Sequence, residues 1–312
     1  MKYLNEKEVS DLLFGKFGEV ISSIEKAFIG ESGKDSIQMI PKSYIKANKG
    51  GDFRAMPIAF GDYIGIKWIG VFPKNPKNNL PTTIGTFLLN DRNTGKPLLS
   101  LECTIFTAYR TAATSAIAAK YCTEADSVKK ITLIGCGLQA GYHLEAYQEV
   151  LPNISHVNIY DRDKAKMQEF AKRIEGQGVE VSQSENVREA CVDSDLVTTL
   201  TSSVVPYLKL EYLKTNCHVN AIGADGPGKR ELHSDVISGA ESLIFDDWEQ
   251  ASHSGEYQHW VKNPLSPMVI WEPKSLSYVI RSGGVGSKIS VFDSTGIAIE
   301  DIAVGILIYN SL

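Results

Sequence analysis

The spacing of apolar and polar positions divides the chain into stretches of different period. Asn5 can cap a short helix that runs through Leu13. A second helix spans Phe17–Ile29, with Val20, Ile21, Ile24, Ala27 and Phe28 on one face, and Gly30 and Gly33 stop it. The period then falls to two. Residues 37–47, 53–60 and 63–72 read as successive antiparallel strands. Residues 83–90 and Pro97–Glu102 flank the turn-rich stretch 91–96 and read as a hairpin. A long alanine-rich helix follows over 104–121, where Ala112, Ala113, Ala116 and Ala119 suit close packing.

From Ser127 onward strands and helices alternate. Strands are expected over 131–135, His156–Tyr160, 179–182, 196–200, 218–222 and Ser242–Phe245. Helices fall between them, for example Leu138–Val150, Lys164–Ile174 and 231–237. Such alternation implies a mostly parallel, doubly wound α/β sheet with right-handed crossovers. Beyond Asp246, residues 248–261 read as helical, 263–274 as a loop with three prolines, 289–292 as one more short strand, and 296–310 as a C-terminal helix. The apolar face of this last helix is expected to return to the first domain and close its sheet. The domains are therefore expected at 1–113, joined by 293–312, and at 114–292.

Bulk properties narrow the functional classes. A chain of 312 residues, 43% of them hydrophobic, suits about two domains. The net charge is −5 and there is no basic stripe, which argues against a nucleic-acid partner. The start lacks the apolar core of a signal peptide. No run reaches membrane-spanning length, and the apolar tail over 297–309 is broken by Glu300 and Asp301. A cytoplasmic protein is expected. The five cysteines (103, 122, 136, 191 and 217) are scattered and contain no C-x-x-C, so they read as buried thiols of a reducing compartment. None of the histidines has metal-ligand spacing, and no metal is expected.

The chemistry concentrates in a few stretches. The strand at 131–135 runs into Gly135-Cys136-Gly137-Leu138-Gln139-Ala140 and then a helix, the strand–turn–helix form of a dinucleotide-binding fingerprint. Gly135 would allow the tight turn, Gly137 the close approach of a pyrophosphate, and Ala140 close packing of helix on strand. The next strand ends at Asp161, placed to accept hydrogen bonds from ribose hydroxyls and to repel a 2′-phosphate; this favours NAD over NADP. Arg162 beside it can stack on adenine or meet a phosphate. The strand at 218–222 leads into a turn carrying Asp225, a carboxylate that could exchange a proton with a substrate amine or could simply build the turn. Arg54, Lys67 and Arg110 stand among apolar or small residues and need anionic partners, either structural carboxylates or a substrate carboxylate.

Several stretches together resemble the ornithine cyclodeaminase/mu-crystallin family: Arg54-Ala-Met-Pro57, Gly65-Ile-Lys-Trp68, Leu80-Pro-Thr82, Arg110-Thr-Ala-Ala-Thr114, Ile134-Gly-Cys-Gly-Leu-Gln139, Asn220-Ala-Ile-Gly-Ala-Asp-Gly-Pro-Gly-Lys229 and Val291-Phe-Asp-Ser-Thr-Gly296. Within it the chain looks most like the archaeal-type alanine dehydrogenases. The resemblance implies a Rossmann domain, an α+β substrate-binding and dimerisation domain, and a homodimer whose N-terminal sheets meet. It implies that Lys67 and Arg110 hold a substrate carboxylate, with Arg54 as a further contact and Thr295 on the substrate side. Asp225 would exchange the amine proton, so Asp225 and Lys67 are the implied catalytic pair. Thr82, Leu138, Gln139, Asp161, Thr201, Ile222, Gly223, Ala224, Lys229 and Ser294 match positions around NAD, and Gly135, Gly137, Arg162 and Arg110 are expected to join them. Arg54 stands where ornithine cyclodeaminases carry a glutamate, which argues against ornithine as substrate. The expectation is an NAD-dependent dehydrogenase, or imine reductase, of a small L-amino acid. The alternatives are a cyclodeaminase that recycles its NAD and a nucleotide-binding protein without turnover.

Overall fold

A computed structural model describes residues 1–30, 37–262 and 272–312. The chain forms two compact units, Met1–Thr114 with Ile297–Leu312, and Ser115–Gly296. The first contains β1 (Lys2–Leu4), α1 (Glu6–Leu13), α2 (Phe17–Ile29), β2 (Ile37–Met39), β3 (Ser43–Lys46), β4 (Asp52–Phe60), β5 (Tyr63–Val71), β6 (Thr83–Asp91), β7 (Pro97–Glu102), the start of α3 (Thr104–Cys122) and, from the chain end, α11 (Ala298–Asn310). Its sheet runs β1-β7-β6-β5-β4-β2, with β3 also on β4.

Local chemistry explains the boundaries. The Asn5 side chain accepts from Glu8 N at 3.0 Å while Glu8 accepts from Asn5 N at 2.8 Å, a reciprocal cap that starts α1. Gly30 ends α2 at φ +67°, a conformation that favours glycine. The expected strand over 37–47 is in fact two, because Pro41 has no N–H to give a ladder. Pro57 lies inside β4 without penalty: it stands where the far side of β4 changes partner, from β3 at Ala55 to β2 at Ile58. β1 was not expected; it pairs parallel with β7, and three residues are too few to show a period.

The inner face of this sheet is covered by α11, which packs on α2 and across β4, β5 and β6. The C-terminal helix thus closes the sheet, as its apolar content suggested. Phe87 is fully buried at this contact, and a Cβ on Gly305 of α11 would lie 2.3 Å from its ring. Only glycine lets helix and sheet approach so closely. The other face is apolar yet open: Ile45, Ile64, Trp68, Ile84 and Leu88 are exposed, alternating on β5 and β6 with buried positions, and Trp68 stacks on Phe53.

The second unit holds β8 (Lys130–Ile134), α4 (Leu138–Val150), β9 (His156–Tyr160), α5 (Lys164–Ile174), β10 (Glu180–Gln183), α6 (Val187–Cys191), β11 (Leu196–Thr199), β12 (Cys217–Ala221), α7 (Ser234–Gly239), β13 (Ser242–Phe245), α8 (Trp248–Ser254), α9 (Tyr257–Val261), β14 (Lys274–Ser275), α10 (Leu276–Arg281) and β15 (Ile289–Asp293). Its sheet is parallel throughout, in the order β10-β9-β8-β11-β12-β15-β13-β14. From β8 the chain winds out to β10, then returns to β11 on the other side, so the glycine turn after β8 sits at the switch point where such sheets bind ligands.

Seven strands were expected, the last over 289–292, and eight are present among the described residues. The late strand β15 fills a slot between β12 and β13, and β14 adds an edge. The expected helix over 248–261 is two helices: a Cβ at Gly255 would lie 2.6 Å from the Asp293 carboxylate, which instead takes the amides of Glu256 and Tyr257, both at 2.9 Å. The helix expected from 231 begins at Ser234, because the Glu231 carboxylate is drawn inward to Thr201 and Gly223. The stop expected at Gly33 and the proline loop up to residue 271 lie outside the described residues. His143 and His218 are buried structural groups, hydrogen-bonded to Ser115 Oγ and Gln139 O and to Ser290 Oγ and Asn220 Oδ1, and burial pulls both imidazoles down to about 4.

Candidate active site

In the first unit, strand alternation points Arg54, Met56, Lys67 and Ile69 to the inner face, with Arg54 opposite Ile69 and Met56 opposite Lys67. Lys67 has no exposed surface. Its Nζ donates to Asp301 Oδ1 at 2.7 Å. Arg110, buried in α3, donates from Nη1 to Glu300 Oε2 at 2.5 Å, and its Nε lies 3.2 Å from Asp301 Oδ1. Both acids sit in the first turn of α11, where the helix dipole favours negative charge. Glu300 also accepts from Ile297 N at 3.0 Å, which fixes the start of that helix. Asp301 Oδ2 is buried with no hydrogen-bond partner among the described residues. Burial, and next the Arg110 guanidinium, pull the Lys67 ammonium below its ordinary value against the pull of Asp301.

Arg54 is also buried. Its Nε donates to Asp52 Oδ1 at 2.7 Å and its guanidinium lies 5.6 Å from the centre of the Tyr44 ring. Each of the three cations therefore already has a carboxylate of its own unit, and a ligand carboxylate would be an additional partner. Thr82 stands at the entry to β6, where its carbonyl accepts from Phe72 N at 2.7 Å. Sequence reasoning missed Glu300 and Asp301 as partners. Their one signal was two adjacent acids in an apolar helix, which had counted only against a membrane span.

In the second unit, Gly135 has φ +104°, and a Cβ there would lie 2.9 Å from Leu200 O. A Cβ at Gly137 would meet nothing within 4 Å, so the protein leaves this side open. α4 begins at the next residue, Leu138, with its first amides directed out of the helix as at any helix start. Gln139 Oε1 is buried with no hydrogen-bond partner among the described residues, an acceptor left over at the turn. Asp161 is half-buried at the end of β9, accepting from Cys136 N at 2.9 Å and Asp163 N at 2.8 Å. It thus orders the glycine turn, and the cap of α5 comes from Asp163 instead. Arg162 is exposed.

Beyond β12, Ile222 and Ala224 are buried. Asp225 is part-exposed and pairs with Lys229 Nζ at 2.5 Å. A Cβ at Gly223 would lie 2.1 Å from Thr201 O, so that position admits only glycine. Glu231, with no exposed surface, binds these segments together: it accepts from Thr201 N at 2.7 Å, Thr201 Oγ1 at 2.6 Å, Tyr207 Oη at 2.7 Å and Gly223 N at 2.8 Å. Asp246 does the same for the segment after β15, accepting from Ser294 Oγ, Thr295 N, Thr295 Oγ1 and Gly296 N. Thr295 is buried, and its hydroxyl also accepts from Gln250 Nε2 at 2.7 Å. Glu231 and Asp246 were not singled out from sequence, where each looked like one acid among many.

Comparison with known proteins gives this arrangement a context. The alanine dehydrogenase of Archaeoglobus fulgidus is 37% identical over 316 residues, covering 99% of this chain and 94% of that one. Among solved structures, an archaeal alanine dehydrogenase dimer with bound NAD superposes with a TM-score of 0.90 at 35% identity, covering 99% of this chain and 94% of that chain. The Thermococcus litoralis Delta(1)-pyrroline-2-carboxylate reductase in complex with NADH and L-proline gives 0.88 at 29% identity, covering 99% and 97%. The model of one family matches residues 2–312. The chain belongs to the ornithine cyclodeaminase/mu-crystallin family.

Proposed function

We propose that the protein is an NAD-dependent amino-acid dehydrogenase, or an imine reductase in the opposite direction, acting on a small L-amino acid such as alanine. The observation that carries this reading is the pair of buried cations, Lys67 and Arg110, held by Asp301 and Glu300 in a chain that also carries an open dinucleotide turn. Two buried cations at one place suit a carboxylate, and the guanidinium suits one in particular.

The second unit fits a nicotinamide dinucleotide. Gly137 leaves room for a pyrophosphate beside the start of α4, Gln139 offers an unused buried acceptor, and the Asp161 carboxylate stands at the end of the neighbouring strand. NAD, when bound, supplies the acceptor for the Cα hydrogen and its electron pair. Gly135, Gly137, Leu138, Gln139, Asp161, Arg162, Thr201, Ile222, Gly223, Ala224, Lys229 and Ser294 would hold it, with Thr82 and Arg110 as further contacts.

Lys67 and Arg110 receive the substrate carboxylate and fix the direction of the Cα–H bond, with Arg54 and Thr295 as further substrate contacts. Asp225 takes a proton from the substrate ammonium, so that the nitrogen lone pair can form the imine as the Cα hydrogen leaves. Among the described residues the acids beside these cations, Asp52, Asp301 and Glu300, are each paired with Arg54, Lys67 or Arg110, which favours a small neutral substrate over one with a side-chain amine.

The test is NADH formation across a panel of amino acids, and its consumption with the matching oxo acids and ammonia. Turnover of a small neutral amino acid is the expected result. Ammonia release from ornithine or lysine without net NADH would replace this reading with a cyclodeaminase. Tight NAD binding with no turnover of any kind would replace it with a binding protein.

We further propose a homodimer formed through the open face of the first sheet, in keeping with the dimeric alanine dehydrogenase. Five exposed large apolar side chains on one sheet face are unusual for a surface left in water. Trp68→Asp is expected to convert the dimer to a monomer in light scattering coupled to size exclusion; an unchanged mass would remove this face as the interface.

A further inference from the structure

The turn that carries Asp225 is built from residues that do not hold their own shape. Gly226, Pro227 and Gly228 follow Asp225, and Gly228 has φ +80°. Two glycines in four residues make the ordered state entropically costly. The Asp225–Lys229 pair is part-exposed, and such pairs contribute little. Side chains of α9 hold the turn from outside, and Gln258 makes most of these bonds. Gln258 is 1% exposed. Its Oε1 accepts from Gly228 N at 2.9 Å, and its Nε2 faces three carbonyls: Gly255 at 2.8 Å, Gly226 at 3.3 Å and Lys229 at 3.4 Å. One N–H partner and three carbonyl partners admit only this orientation of the carboxamide. The neighbouring His259 Nε2 lies 2.8 Å from Lys229 O.

We propose that Gln258 is a positioning residue for Asp225: by holding the main chain of Gly226, Gly228 and Lys229 it sets where the Asp225 carboxylate stands. The inference rests on the reading of Asp225 as the group that exchanges the amine proton.

The base of this brace is itself fixed. Asp293, at the end of β15, takes the amides of Glu256 and Tyr257 and so anchors the start of α9. Glu256 accepts from Glu231 N at 2.5 Å, and Glu231 binds Thr201 and Gly223. One continuous set of hydrogen bonds therefore runs from the floor of the sheet to both ends of the segment 223–231. Burial pushes the Asp293 carboxyl up to about 7, and burial with the charge of Glu231 pushes Glu256 well above the ordinary carboxylate range. Three carboxyl groups can share this space because they need not all be charged.

The test compares the full-length protein with Gln258→Met, which keeps the volume and removes every hydrogen bond. Amide exchange, read by mass spectrometry on the peptide spanning 226–230, is expected to rise at least tenfold while peptides of β8 and β12 do not change. Unchanged exchange over 226–230 overturns the inference whatever the activity. With the amino acid that the panel finds turned over, kcat is expected to fall about 10- to 100-fold while KM for NAD stays within about twofold, as a small misplacement of a reacting group allows. The decisive comparison adds Asp225→Asn. If Gln258 acts through Asp225, Gln258→Met causes no further loss in that background. A loss of the same factor in both backgrounds makes Gln258 merely structural and overturns the inference alone. Full activity of Asp225→Asn by itself overturns the reading of Asp225 and the inference with it. Should Gln258→Met fail to fold, Gln258→Glu keeps the acceptor for Gly228 N and withdraws the donor from the three carbonyls, and the same outcomes apply.

Discussion

Asp301→Ala is expected to lower the stability of the protein by about 3–5 kcal/mol, the range seen when one partner of a buried ion pair is removed. Lys67 has no exposed surface, so its ammonium cannot turn to water once Asp301 is gone. Arg110 also loses the carboxylate 3.2 Å from its Nε, although Glu300 remains. Urea unfolding followed by fluorescence measures the change; a cost below about 1 kcal/mol would mean that water or another acid compensates Lys67, contrary to its burial. The paired replacement Lys67→Met with Asp301→Leu separates stability from function. It removes one positive and one negative charge and fills the space with apolar groups, so stability should return to within about 2 kcal/mol of the parent. Turnover should not return, because the lysine assigned to the substrate carboxylate is missing. Recovery of both would free Lys67 from any role in substrate binding.

The same residues show what the sequence makes legible. β4 and β5 could be read to within a residue because one face of each packs under α11 and the alternation is strict. The glycine turn after β8 was legible because Gly135 is required by local geometry, as its positive φ shows. The partners of the cations were not. Lys67 and Asp301 are 234 positions apart, and nothing in the spacing of a C-terminal helix says which strand its first turn will meet. The place of the last strand in the second sheet was not legible for a similar reason. β15 is apolar like its neighbours, and its place between β12 and β13 is decided by packing across space. Glu231 and Asp246 were missed because their chemistry lies in backbone amides they collect from distant turns, a property with no residue signature.

Asp225→Asn is expected to lower kcat by about 100- to 10,000-fold, the usual range for a positioned general acid–base group. The substitution keeps the size of the side chain and removes its charge and its capacity to accept a proton. An amino acid at neutral pH carries an ammonium group, and no imine can form until that nitrogen gives up a proton. A group that manages this proton affects the chemical step, so kcat should fall while the dissociation constant for NAD, read by fluorescence, stays within about twofold. The loss should not come from unfolding. Asp225 and Lys229 form a part-exposed pair, whose removal costs about 0–1 kcal/mol, so the melting temperature should move by no more than a few degrees. Lys229→Met sharpens the distinction. It leaves the Asp225 carboxylate in place and removes its neighbour, so kcat should fall far less than with Asp225→Asn. If Asp225→Asn retains more than about half of the parent kcat, the proton must pass through another group, and the role assigned to this turn falls.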